Sequence, residues 1–331
     1  MGADASRCHL GMDDILRKEE DMEKTESIRL SKINAVRKTD FRLWGMMAIF
    51  AAVSSFTSCV KDELFNTPHP DHGKITVTAD WTARGEDVPE PERWTISIGD
   101  YTGEETEAVH ASDRLFEPDT YTLAAWSNAD NITVSGTTAT VSSASGNWDG
   151  AGAFIHNAPG WLHTSMQQVT IEKDRVHAFT AAMMQQVRQL TIVIDPKGDA
   201  AVRIVGIDAY LTGAAGALDF ADGMHGSPAN VELAFRKITE GADAGKWTAT
   251  VRLLGVAGME QRLKGSIRFA DDNPKPVALD SDLTEALSGF NTGKTEGMIF
   301  GGTLVETPTE AGFTATIVGW QPTDGGNTDA H

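Results

Sequence analysis

Lys74-Ile-Thr-Val-Thr-Ala-Asp-Trp81 alternates apolar and polar residues without a break. Ile75, Val77, Ala79 and Trp81 fall on one face, and Lys74, Thr76, Thr78 and Asp80 on the other. Side chains of an extended chain point to opposite faces in turn, so the stretch predicts a strand with one face buried and the other wet. The same period recurs at Trp94–Ile98, Thr120–Ser127, Ile132–Val141, Gln168–Ile171 and Val176–Ala181. A second series follows at Leu190–Ile194, Arg203–Leu211, Val231–Ile238, Trp247–Val256, Arg262–Phe269, Met298–Val305 and Phe313–Trp320. Clusters of Gly, Pro, Asn and Asp separate these runs. Short strands with turn signals between them, and without intervening helices, predict an all-β chain of antiparallel β-sandwiches, not a parallel α/β sheet.

Three local expectations qualify that reading. Asp282–Phe290 predicts one short helix, because Asp282 can cap it, Glu285 follows at capping-box spacing, and Leu283, Ala286, Leu287 and Phe290 share a helical face. Gly213-Ala-Ala-Gly216 and Gly223-Met-His-Gly226 read as loops, and neither joins a strand to a helix as a phosphate cradle requires. The Ala-, Met- and Gln-rich stretch Ala178–Leu190 reads as a strand end followed by a junction, with a domain boundary near Gln185.

Charge locates a leader. The chain has 331 residues, 47 acidic and 28 basic, giving a net charge of −19. That balance argues against a nucleic-acid partner, which needs clustered Lys and Arg to displace counterions. Residues 1–58 hold nine acidic and nine basic groups, so the remainder holds 47 − 9 = 38 and 28 − 9 = 19 and carries the whole net charge. Inside the leader a basic stretch ending at Arg42 meets the apolar run Leu43–Phe56, then Thr57-Ser58-Cys59. This is the order of a secretory signal. Fourteen residues of helix span about 21 Å, short of the roughly 30 Å hydrocarbon layer, which argues against a transmembrane anchor. The acidic first 21 residues do not suit a signal, and Met22 is an alternative translation start.

Only two cysteines occur, Cys8 and Cys59, which excludes a disulfide framework or a Cys-rich metal module. Cys59, directly after Thr57-Ser58, resembles the lipid-acceptor cysteine of a bacterial lipobox, with Phe56 where Leu is usual. Cleavage there and acylation by several chains would give stable attachment to the outer membrane. Val60-Lys-Asp-Glu63 resembles the acidic tetrapeptide of surface-exported lipoproteins. The expected organisation is a leader and signal peptide (1–58), a tether (59–73), an N-terminal sandwich (74–185), a C-terminal sandwich (186–321) and a loose tail (322–331).

Catalytic signals are missing from the sequence. It has no nucleotide loop, nucleophile elbow, zinc-helix motif or EF-hand loop. His69-Pro-Asp-His72 lies in the expected tether, and His156 and His163 flank a Pro-Gly turn, where they read as ordinary loop residues. Glu104-Glu105 and Asp271-Asp272 read as solvated turn charges. No enzyme, cofactor, metal or small-molecule substrate is expected. Trp126, Trp148, Trp161, Trp247 and Trp320 read chiefly as core, with a sugar-stacking platform as the alternative, which requires Trp148 and Trp161 to lie exposed and roughly coplanar.

The lipobox, the Pro/His tether, the opening strand Gly73–Trp81 and the stretch Glu117-Pro-Asp-Thr-Tyr-Thr-Leu-Ala-Ala-Trp-Ser-Asn128 together resemble the FimB-like fimbrial anchor and accessory subunits of type V pili. Pro118–Trp126 is similar to the strand entry of transthyretin-like sandwiches, with Asp119 in place of the usual Gly. The resemblance implies two tandem transthyretin-like sandwiches, a lipid on Cys59, other fimbrial subunits as partners, and joining of subunits by strand addition. The implied exchange segments are Ile75, Val77, Ala79 and Trp81 near the N-terminus and Phe313, Ala315 and Ile317 near the C-terminus. Stalk subunits of this class lose their first strand by cleavage after a basic residue, here Arg84 or Arg93, whereas an anchor would keep it. The competing expectation is a surface glycan-binding lipoprotein of a polysaccharide-uptake system.

Overall fold

The computed structural model describes residues 71–323 except 147, 149–150, 199, 271–274 and 310–311, with backbone alone at 200–201 and 306–315. The leader, Cys59 and most of the expected tether, His69 included, lie outside the described residues, as do Asp271-Asp272 and residues 324–331.

In chain order the first strands are β1 (Lys74–Asp80), β2 (Trp94–Ile98), β3 (Tyr101–Glu105), β4 (Val109–Ala111), β5 (Asp119–Ser127), β6 (Ile132–Ser135), β7 (Thr138–Val141), β8 (Ala144–Ser145), β9 (Ala153–Ile155), β10 (His163–Ile171), β11 (Val176–Ala182) and β12 (Met184–Gln185). The chain continues through β13 (Arg188–Pro196), a single helical turn α1 (Ala200–Arg203), β14 (Ile204–Asp219), β15 (Met224–Ala234), β16 (Arg236–Lys237), β17 (Trp247–Leu253), β18 (Arg262–Phe269), β19 (Val277–Asp282), β20 (Met298–Thr309) and β21 (Gly312–Pro322). The described chain is therefore all-β.

Two hydrophobic cores organise it. The first lies between a three-stranded sheet, β11-β1-β4, and a five-stranded sheet, β12-β10-β5-β2-β3. Ile75 and Val77 from one sheet meet Trp94, Ile96, Leu123 and Val169 from the other. Each such side chain, once buried, contributes about 1.5–3 kcal/mol. The second core lies between β16-β17-β13-β20-β21 and β19-β18-β14-β15-β9-β8, with hairpin β6–β7 paired onto β14. Leu190, Ile192 and Ile194 of β13 pack there with Leu211, Leu263, Ile267 and Phe300. Ala139, Val141 and Ile155 also belong to this second core, so chain from between β5 and β10 helps to build it.

Most sheet pairs are antiparallel, but β1 pairs in parallel with β11, β13 with β20, and β9 with β15. The sheets are mixed where pure antiparallel pairing was expected. Three local expectations also change. The single strand expected at Ile132–Val141 is a hairpin, turned at Gly136, which takes a φ of 59°. The helix expected at Asp282–Phe290 is a run of turns with one i→i+4 bond, from the Leu287 N–H to the Leu283 carbonyl. Asp282 does cap it, accepting from the Thr284 N–H at 2.9 Å, and Leu283, Leu287 and Phe290 are fully buried. The burial pattern was real, but nine residues form too short a helix to outweigh a nucleation cost when turns satisfy the same contacts.

Of the two expected glycine loops, Gly213–Gly216 is strand throughout and the second is strand from Met224, with only Gly223 left in the turn. β14 runs sixteen residues through Gly213-Ala-Ala-Gly216, with a register shift between Leu211 and Ala214, and β15 begins before Gly226. Small residues are required here by close approach. A Cβ at Gly216 would stand 2.5 Å from the Ser227 carbonyl oxygen, and Gly213, at a φ of 73°, lies against the Glu260 carbonyl. Close backbone approach is a standing reason for glycine inside a strand.

Candidate functional site

β1 sits in the middle of its sheet. It pairs with β11 over its full length, Lys74 opposite Val176 through Asp80 opposite Ala182, and with β4 through Thr76, Val77 and Thr78. The ends are tied as well. Gly73 exchanges two hydrogen bonds with Phe116, at 2.8 and 2.9 Å, and the Asp80 carbonyl accepts from the Met183 N–H at 2.9 Å. Ile75, Val77, Ala79 and Trp81 all point into the first core and are buried. Four side chains at alternate positions, flanked by two rows of backbone hydrogen bonds, form the arrangement that a strand-addition groove requires of its occupant.

The chain then turns through a clipped loop. Asp80 accepts from the Thr82 N–H at 3.0 Å, which holds its carboxyl below the usual range. The Arg84 guanidinium donates to the carbonyls of Val88 and Trp81 at 3.1 and 3.3 Å and reaches Glu90 at 3.9 Å. The Gly85 N–H donates to the Gln185 side chain at 2.8 Å, and that amide donates onward to the carbonyls of Val187 and Lys294. Gly85 has no room for a side chain, since a Cβ there would stand 2.5 Å from the Thr295 carbonyl oxygen. Arg93 is different: its side chain is exposed, at the end of an irregular stretch before β2.

β21 lies at the edge of its sheet, paired with β20 alone. Ile317 is buried in the second core, whereas Val318 is 45% exposed. Trp320 donates its indole N–H to Ser281 at 2.8 Å, which ties the edge to β19. Phe313 and Ala315 take part in β21 opposite Pro308 and Glu306, and their side chains lie outside the described residues. The two groups of candidate exchange residues therefore belong to different sheets, and Ile317 lies in a different core from Ile75, Val77, Ala79 and Trp81.

Sequence reasoning missed several groups around β1. Tyr101, Glu105 and His110 form a chain that ties β3 to β4. The Tyr101 hydroxyl lies 2.9 Å from His110 Nε2, and Glu105 lies 3.3 Å from His110 Nδ1. Glu105 is thus a partner of His110, not a free turn charge. His163 opens β10 instead of sitting in a loop, and is fully buried against Trp81, with centroids 5.7 Å apart. Burial, and secondarily the charge on Arg84, holds its pKa down to about 4. A polar residue alternating into a core carries no distinct sequence signal. His156 is exposed and contacts the Ser145 carbonyl at 3.1 Å.

The two tryptophans of the platform expectation are engaged separately. Trp148 packs on Tyr210 at 4.8 Å, and the Arg252 guanidinium covers Trp161 at 5.4 Å. Among the described residues no cluster of three His, Cys, Asp or Glu side chains could hold a metal.

The model of the family described as fimbrillin-A associated anchor proteins Mfa1 and Mfa2 matches residues 98–323. No curated protein matches the sequence. Among solved structures, a candidate adhesin from Bacteroides ovatus superposes with a TM-score of 0.53 at 9% identity, covering 77% of this chain and 96% of that one. A candidate adhesin from Bacteroides ovatus ATCC 8483 gives 0.50 at 14% identity, covering 77% and 95%. The fimbrial anchor protein Mfa2 from Porphyromonas gingivalis gives 0.48 at 14% identity, covering 76% and 97%. The first two show a shared fold.

Proposed function

The chain belongs to the family of fimbrillin-A associated anchor proteins, and from that premise we propose that it is a lipid-anchored fimbrial anchor or accessory subunit that keeps its own first strand. Acylated Cys59 holds it on the outer membrane, facing outward, after removal of residues 1–58. The chain leading up to Gly73 serves as the tether, and the folded body is two transthyretin-like sandwiches divided near Gln185, the second of which also takes up hairpin β6–β7 and strand β9 from the segment between β5 and β10. Its partners are other fimbrial subunits, joined by strand addition. The role is structural, in keeping with a family of anchor proteins. An acidic body also suits this station, since like charge keeps it off an anionic membrane surface.

The observation that carries the reading is the seat of β1. Its apolar side chains Ile75, Val77 and Ala79, with Trp81 directly after it, fill the first core, and its loop is clipped at Arg84 and Gly85, so the groove that an exchange would use is already occupied by the chain's own strand. An anchor ends a polymer and has no need to vacate that groove. The complementary strand is β21, an open edge that can pair with a neighbour.

Replacing Cys59 by Ala in cells that assemble the fimbriae tests the anchor. Fimbriae are expected in the medium. Fimbriae retained on the cells in normal amount would contradict the proposal.

A further inference from the structure

Long, uncharged strand edges attract other strands, and proteins ordinarily guard them with charge, proline or brevity. Among the described edge strands of five residues or more, β3 ends in Glu104-Glu105 and β19 carries Asp280 and Asp282. Three edges lack any charge: β21, β10 and β11. The last two lie together. β10 pairs with β5 from Thr164 to Ile171, but on its other side β12 covers only His163 and Thr164. Ser165–Ile171 is therefore an open edge of seven residues with no charge and no proline. β11 departs into the other sheet, leaving a cleft of about 590 Å³ bordered by Ser165, Met166 and Gln168 on one side and Thr180 and Ala182 on the other.

A second cleft, of about 850 Å³, continues from the first across Met184 and Gln186, which line both. Its walls include Met224, His225 and Lys294 and no acidic residue. Gln186 joins the two physically. Its amide donates to Thr164 of β10 at 2.8 Å, and its carbonyl oxygen accepts from Lys294 Nζ at 2.8 Å. Lys294 also lies 3.4 Å from His225 Nε2. Burial alone lowers the Lys294 pKa to about 8, and no carboxylate offsets it. A partly buried cation without a carboxylate, on a chain of net charge −19, is a local reversal of the molecule's field. Met166, Met184 and Met224, exposed by 38, 51 and 66%, rim the path with adaptable apolar side chains.

We propose that this double cleft receives an extended segment of a different protein, which adds as a strand along Ser165–Ile171 and sets a carboxylate against Lys294 beyond Gln186. Main-chain hydrogen bonds along β10 supply affinity, and the methionine rim and Lys294 select an uncharged strand with an acidic end. A second copy of this chain is disfavoured as the occupant, because each copy carries the same net charge of −19. The inference stands apart from acylation of Cys59 and from the fate of β1.

The test is photo-crosslinking in producing cells, with benzoylphenylalanine placed at Met184 or Thr170 of the full chain and adducts mapped by mass spectrometry. Adducts are expected on alternate residues of one segment of another protein. Met166→Lys, which guards the edge, and Lys294→Glu, which reverses the cation, are each expected to lower the yield at least tenfold, while Lys294→Arg retains it. No adduct at either position, an adduct to a second copy of this chain, or a yield unchanged by Met166→Lys and Lys294→Glu would overturn the proposal.

Discussion

Trp81, directly after β1, stands edge-on to His163, the first residue of β10, with ring centroids 5.7 Å apart and ring planes at 88°. The pair bridges the two sheets of the first sandwich at the point where β1 ends. Neither ring nitrogen of His163 has a hydrogen-bond partner among the described residues, so the imidazole serves as a neutral aromatic filler.

Acid should therefore loosen the protein. His163 takes up a proton near pH 6.5 when unfolded but only near pH 4 when folded, and His225 behaves alike through burial and the nearby Lys294. Between those values the unfolded state binds more protons, so stability rises with pH. The contribution is complete above about pH 6.5 and is lost as pH falls toward 4. The gap at His163 corresponds to about 3 kcal/mol. Urea midpoints measured from pH 7 to 4.5 should fall steadily, and His163→Leu should flatten that slope.

Removing the Trp81 indole opens a cavity and strips His163 of its packing partner. Trp81→Ala should destabilise the protein by about 3–5 kcal/mol in urea unfolding, and Trp81→Phe by clearly less. A double substitution with His163→Leu should cost less than the sum of the two single changes, because the residues touch.

Arg188 should prove the most sensitive cation of the second sandwich. Its guanidinium is buried and donates to the carbonyls of Glu296, Gly289, Phe290 and Thr292 at 2.7–3.2 Å, with its Cζ 5.5 Å from the centroid of the Phe290 ring. Arg188→Met leaves those carbonyls without their donor, at a cost of about 2–4 kcal/mol. Arg188→Lys should recover little, since an ammonium cannot span the set. Thermal unfolding of the two variants checks both statements.

Native trypsin should separate the two basic sites next to β1. Arg84 has its side chain bound to two carbonyls inside a clipped loop, whereas Arg93 is exposed. Cleavage after Arg93 should precede cleavage after Arg84, followed by mass spectrometry of timed digests. The reverse order would show that the Arg84 loop opens readily.

The strands were legible where one face is wet. β1 and β18 alternate cleanly because solvent selects polar residues at every second position. Legibility failed where both faces or a close backbone decide. β14 carries Gly213 and Gly216 because the Glu260 and Ser227 carbonyls leave no space, so its composition imitates a loop. The turns at 283–290 bury Leu283, Leu287 and Phe290 at helical spacing, so periodicity alone could not separate them from a helix. At the candidate site, β1 was visible as a strand, but its central place between β11 and β4 was not, since pairing partners some 100 and 35 residues away leave no local trace. The open edge of β10 was hidden for the same reason: an edge is defined by the strand that fails to pair with it.

Intact-mass and peptide analysis of this chain, extracted in detergent from fimbriated outer membranes, distinguishes a lipid-anchored subunit that keeps β1 from a processed stalk subunit. The expected chain begins at an acylated Cys59 and retains Lys74–Trp81. An unacylated chain beginning at Gly85 or Trp94 would contradict it.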